Sequence, residues 1–160
     1  MDTRIQRMIG HGAIVMLIGL VAGFGLVMSL IGGFEVLPGT IVAFELPGTP
    51  EAWARTHLGG LTNGMLVILF ALFIHAAQLP NRQASQLRWM LVATGYGNTA
   101  FYWGGLLSPN RALTLGDNRL GESNLFGILG LVPALVVAFV LIAATVIVIR
   151  WAFARGHQGV

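Results

Sequence analysis

The chain has 160 residues, of which 56% are hydrophobic and only 9% charged, with a mean hydropathy of +0.79. Soluble domains carry about 25% charged residues, so this composition excludes a soluble cytoplasmic enzyme, and its apolar content excludes disorder. The net charge of +3 rests on nine arginines scattered singly, which read as membrane-edge residues and not as a nucleic-acid footprint. With no cysteine, disulfides, thiolate metal sites, iron–sulfur clusters and covalent c-type haem attachment are excluded.

Four apolar stretches meet the requirement of roughly 20 residues for crossing a bilayer: 12–34, 57–79, 89–107 and 124–149. The first is too long for a signal-peptide core and precedes no soluble domain. The third is the most polar, with GYGNTAFYWGG inside it, and the fourth is the purest, with Pro133 as an expected kink. The chain is therefore expected to be an all-α integral membrane protein, a single four-helix transmembrane domain over 1–160. Arg4, Arg7, Arg82, Arg88, Arg150 and Arg155 fall on one side; Arg55, Arg111 and Arg119 fall on the other, among five of the six acidic residues. By the positive-inside rule, both termini and the 80–88 link are cytoplasmic, with the bacterial inner membrane the expected location.

The outer segment 35–56 contains a near repeat, FEVLPGT from Phe34 and FELPGT from Phe44. Pro38-Gly39 and Pro47-Gly48 each suit positions i+1 and i+2 of a type II turn, and TIVAF between them reads as a strand. A short hairpin-like loop between helices 1 and 2 is expected. The second outer loop, 108–123, is rich in Asn, Gly and Arg and holds no phosphate-binding or dinucleotide motif.

Six polar residues sit where lipid would penalise them: His57, Asn63, His75, Tyr96, Asn98 and Tyr102. Asn98 and Tyr102 are four apart and share one helix face. His57 and Asn63 lie roughly 120° apart around one helix and about 9 Å apart in rise, so they could line adjacent walls of a cavity. Asn63 and Asn98 are equally readable as helix–helix glue, beside the GxxxG face of Gly60 and Gly64. Tyr96 and Trp103 read as packing or interface residues, and His11 and His75 as hydrated residues near the cytoplasmic edge. His57 opens a span next to Gly59-Gly60, which makes it either a satisfied polar residue or a ligand of a b-type haem. A pair with His75 fails on depth, because eighteen residues of helix span about 27 Å.

GHG at 10–12, GGFEVLPG at 32–39, PGTPEAWARTHLGGLTNGM at 47–65, GNTAFY at 97–102 and SPNRALTLGDNRLG at 108–121 together resemble the styrene oxide isomerases. The likeness covers nearly the whole chain. It implies a small four-helix membrane enzyme that assembles as a trimer, holds ferric haem b near a subunit interface and rearranges aryl epoxides to aryl acetaldehydes. It implies His57 as the axial iron ligand, Asn63 and Tyr102 as the residues that position and polarise the epoxide, and Asn98 as a further member of the pocket. Haem propionates need cationic partners, for which Arg55 and Arg111 are the candidates; Arg119 is expected to pair with a loop carboxylate. The remaining alternative is a haem-carrying electron-transfer subunit, which would require a second axial ligand.

Overall fold

The computed structural model describes residues 2–155. Met1 and residues 156–160, included in the expected single domain, lie outside the described residues. The elements run α1 (Thr3–Ile31), β1 (Gly33–Leu37), β2 (Thr40–Ala43), α2 (Pro50–Ala77), α3 (Asn81–Leu106) and α4 (Leu125–Arg155). Among them, Thr3–Ile31, Pro50–Ala77 and Leu125–Ala154 are long and apolar enough to cross a membrane. At 26 residues, α3 is about 39 Å long but falls short on apolarity, because the polar stretch at 95–105 interrupts it. Each helix overruns at one end the apolar stretch that announced it, where polar turns add length without hydropathy, and stops one to three residues short at the other; residues 33 and 34, expected in the first span, belong to β1.

The helix ends follow local chemistry. Asp2 caps α1 by accepting from the Arg4 amide at 3.2 Å, and α1 stops at Gly32 in the left-handed conformation. Thr49 caps α2 by accepting from the Ala52 amide at 3.3 Å, with Pro50 in the first turn. α4 continues unbroken through Pro133. The expected hairpin is present: β1 and β2 pair antiparallel, Gly33 opposite Ala43 and Phe34 opposite Val42, with an irregularity between Glu35 and Leu37. Gly39 and Gly48 have φ of 80° and 85°, the values that the third residue of a type II turn requires. The Glu35 carboxylate accepts from the Gly39 amide at 2.7 Å and ties the turn back to its strand.

The helices pack in chain order, α1 on α2, α2 on α3 and α3 on α4, with a smaller α1–α3 contact. The α1–α2 seam is built from small residues. A Cβ on Gly19 would come within 2.8 Å of the Gly60 backbone, and one on Gly64 within 2.7 Å of the Gly12 carbonyl oxygen. Such backbone approach is what a GxxxG face permits. Towards one end the core widens into a cluster of Ile5, Met8, Val67, Ile74, Leu87 and Leu91. At the opposite end Trp53 and Trp103 meet edge to face at 5.7 Å, and the Trp53 indole donates to the Pro47 carbonyl at 3.0 Å. α4 leaves Leu129, Phe139, Ile142 and Phe153 exposed, as expected of a helix facing lipid.

Candidate functional site

Helix α2 carries polar residues on two different faces, and the glycine pair at its head serves both. Gly60 lies against Gly19 of α1, whereas Gly59 lies under the ring of Tyr102 on α3. Consecutive helical residues point about 100° apart, so Gly59-Gly60 lets one neighbour approach on each side.

On the α1 side sits His57, half-buried. Its Nδ1–H donates to the carbonyl oxygen of Gly19 at 2.8 Å. Gly23, one turn further along α1, leaves room for the imidazole: a Cβ there would come within 2.9 Å of both Nδ1 and Cε1. A proton fixed on Nδ1 leaves the Nε2 lone pair unprotonated, the state a metal-ligating histidine requires, and a backbone carbonyl is a usual second partner for such a ligand. The donor chemistry therefore fits an axial haem ligand. Among the described residues, no three His, Cys, Asp or Glu side chains come together as a metal cluster.

On the α3 side Asn98 donates its Nδ2–H to the Oδ1 of Asn63 at 2.8 Å, and Asn63 donates to the Gly59 carbonyl at 2.7 Å. Asn63 is buried and Asn98 half-buried, and this pair links α2 to α3 across their seam. One turn along α3, Tyr102 lays its ring over Gly59, and its backbone carbonyl accepts from the Thr56 hydroxyl at 3.2 Å. Tyr102, Arg55, Phe101, Leu106, Arg111 and Leu113 line a cavity of about 140 Å³. It adjoins a larger one of about 410 Å³ that also includes Arg55 and Arg111, together with Pro47, Thr49 and Ser108.

Arg55 and Arg111 lie within electrostatic range of each other and of Glu51. Neither forms an ion pair with a carboxylate, and Arg119, expected to find one, forms none either, among the described residues. Arg111 is held by a rigid loop that the sequence reading left unassigned. Asn110 is fully buried; its Oδ1 accepts from the Ser108 hydroxyl at 2.7 Å and the Ala112 amide at 3.0 Å. Its Nδ2 donates to the carbonyls of Thr114 at 2.9 Å and Gly116 at 3.0 Å. Arg111 and Ala112 both take positive φ, 60° and 55°, a conformation uncommon for residues with a Cβ and held here by the network around Asn110. The available signal was the Asn-rich turn chemistry of SPNRALTLGDN.

The structure thus joins Asn63, Asn98, Tyr102, Arg55 and Arg111 along the α2–α3 side and sets His57 apart on the α1 side. His11 also departs from expectation. Its Nδ1 shares a 3.0 Å hydrogen bond with the Tyr96 hydroxyl, so it is tied to α3 and not merely hydrated.

Fold and site define a small helical membrane protein with a polar seam and a half-buried histidine among its spans. The chain belongs to the styrene oxide isomerase family: the family model Styrene oxide isomerase matches residues 4–153. A styrene-oxide isomerase of Pseudomonas fluorescens is 40% identical over 129 residues, covering 81% of this chain and 76% of that protein. The protein is accordingly an isomerase.

Proposed function

We propose that this protein rearranges styrene oxide and related aryl epoxides to aryl acetaldehydes, with ferric haem b bound through His57. The observation that carries the reading is the 2.8 Å bond from His57 Nδ1–H to the Gly19 carbonyl, which directs the free lone pair to Nε2. When bound, the haem supplies a Lewis acid for the epoxide oxygen, and the reaction needs neither a nucleotide nor a second substrate.

The chain's own groups account for the rest. The Tyr102 hydroxyl, which has no hydrogen-bond partner among the described residues, donates to the epoxide oxygen and stabilises the negative charge that grows there as the benzylic C–O bond breaks. Asn63 and Asn98 each keep one amide N–H beyond the bonds described above, and these orient the same oxygen. Phe101, Leu106 and Leu113 exclude water that would capture the benzylic cation as a diol before the hydride shifts from the neighbouring carbon.

His57 and Tyr102 lie on opposite sides of α2, so a site that uses both is best supplied by two copies of the chain, one offering its α1 side and the next its α3 side. In a trimer with haem near the subunit interface, Arg55 and Arg111 would be the residues that hold the haem propionates. A saturated, electron-transferring iron would need a second axial side chain. His11 is engaged by Tyr96, and His75 is about 27 Å along the helix from His57. We place α3 in the bilayer as the fourth span, with both termini and the α2–α3 turn on the cytoplasmic side of a bacterial inner membrane, as the arginine distribution directs.

The test is turnover of styrene oxide by the purified protein with its haem ferric, after anaerobic reduction by dithionite, and after reoxidation. Phenylacetaldehyde should form, cease on reduction and resume on reoxidation. Unchanged turnover in the ferrous protein would overturn the Lewis-acid reading.

A further inference from the structure

At the end of the bundle opposite the hairpin, Arg4, Arg7 and His11 of α1 face Ser85, Arg88 and Trp89 of α3 across a cavity of about 450 Å³. It is distinct from the site described above, because Arg7 lies twelve residues, about 18 Å of helix, from Gly19. Three guanidinium groups line it and no carboxylate does. Arg88 is half-buried, and none of the three forms an ion pair among the described residues. Like charges converging on one partly enclosed space repel one another, and an anion between them reverses the sign of that interaction.

The walls also say what kind of anion fits. Met8, 2% exposed, and Val92 give the cavity an apolar side, and Trp89, 75% exposed, stands at its edge. An exposed tryptophan beside arginines, where two helices end, is the pattern of a membrane–water boundary. The His11 ring is fixed by its bond to Tyr96, so its edge is a pre-set part of the wall. Free phosphate would satisfy the arginines and leave the apolar side and Trp89 unused; a phosphodiester carrying acyl chains uses both.

We propose that this cavity binds the headgroup of an anionic phospholipid, its phosphate between Arg4, Arg7 and Arg88 and its glycerol ester region along Trp89. Bound there, the lipid bridges α1 and α3, which otherwise share a small contact.

The experiment uses the full chain as purified in detergent, equilibrated with equal amounts of phosphatidylglycerol and phosphatidylcholine and read by native mass spectrometry. Phosphatidylglycerol should be retained preferentially, and the preference should fall roughly fivefold for each arginine removed in Arg7→Gln and Arg88→Gln. Arg82→Gln, six residues before Arg88 and outside the lining, should keep the wild-type preference. Equal retention of the two lipids by the wild type overturns the proposal, and so does a preference that survives in the Arg7→Gln/Arg88→Gln double variant. Displacement of phosphatidylglycerol by excess inorganic phosphate would assign the cavity to free phosphate and overturn the lipid assignment. Should the double variant fail to fold, the wild-type competition between the two lipids decides alone.

Discussion

Asn98 of α3 donates to the side-chain oxygen of Asn63 on α2 at 2.8 Å, and Asn63 in turn donates to the Gly59 carbonyl on its own helix. One chain of amide dipoles therefore crosses the helix seam and ends beneath the ring of Tyr102. The same two amides hold α2 to α3 and keep Asn63 satisfied inside the seam.

Replacing Asn98 by Leu should destabilise the protein by about 1–2 kcal/mol. The change strands the Asn63 oxygen in a buried seam, although interhelical hydrogen bonds in lipid are individually modest. Thermal unfolding in detergent followed by tryptophan fluorescence gives the answer; an unshifted transition means that the Asn63–Asn98 bond contributes nothing to packing.

Tyr102→Phe should lower turnover about 10²-fold while haem content stays at the wild-type level. The ring keeps its place over Gly59 and only the hydroxyl donor is lost. Paired measurement of turnover and haem absorbance separates the two effects, and wild-type turnover would reduce Tyr102 to a wall of the pocket.

His57→Ala should lose haem, and His75→Ala should retain it. Gly23→Val should weaken haem binding without touching the ligand, because the added Cβ comes within 2.9 Å of the imidazole and must displace it. Haem stoichiometry by optical spectroscopy across the three variants checks the assignment. Full occupancy in His57→Ala removes His57 as ligand.

Gly60→Leu should separate α1 from α2 and cost about 1–3 kcal/mol or more, because its Cβ would meet the Gly19 backbone. Gly10→Leu is the matched control on α1, since nothing lies within 4 Å of a Cβ there. Comparable unfolding temperatures for the two variants would contradict the small-residue seam.

Much of the architecture was legible because it is written locally. The turns at Gly39 and Gly48 and the strand at Thr40–Ala43 depend on a few adjacent residues whose conformational preferences do not need the rest of the fold. The GxxxG face was legible for the same reason: four-residue spacing alone puts Gly60 and Gly64 on one side of a helix. The role of Asn110 was not, because its four partners, from Ser108 to Gly116, are defined only once the loop closes on itself.

By itself the sequence determined that this is a helical membrane protein with an ionisable residue, His57, near the head of one apolar span, since composition and run length decide both. Only the tertiary structure decided which way that span is turned. In a soluble helix the apolar stripe marks the buried face, but lipid and protein interior are alike apolar, so α2 is hydrophobic nearly all round and its periodicity gives no rotation. The contacts of Gly60 and Gly64 with α1 fix that rotation, sending His57 to the Gly19 carbonyl and Asn63 to Asn98. Spacing set the histidine and the asparagine roughly 120° apart and allowed them to line adjacent walls of one cavity; packing turned one to α1 and the other to α3.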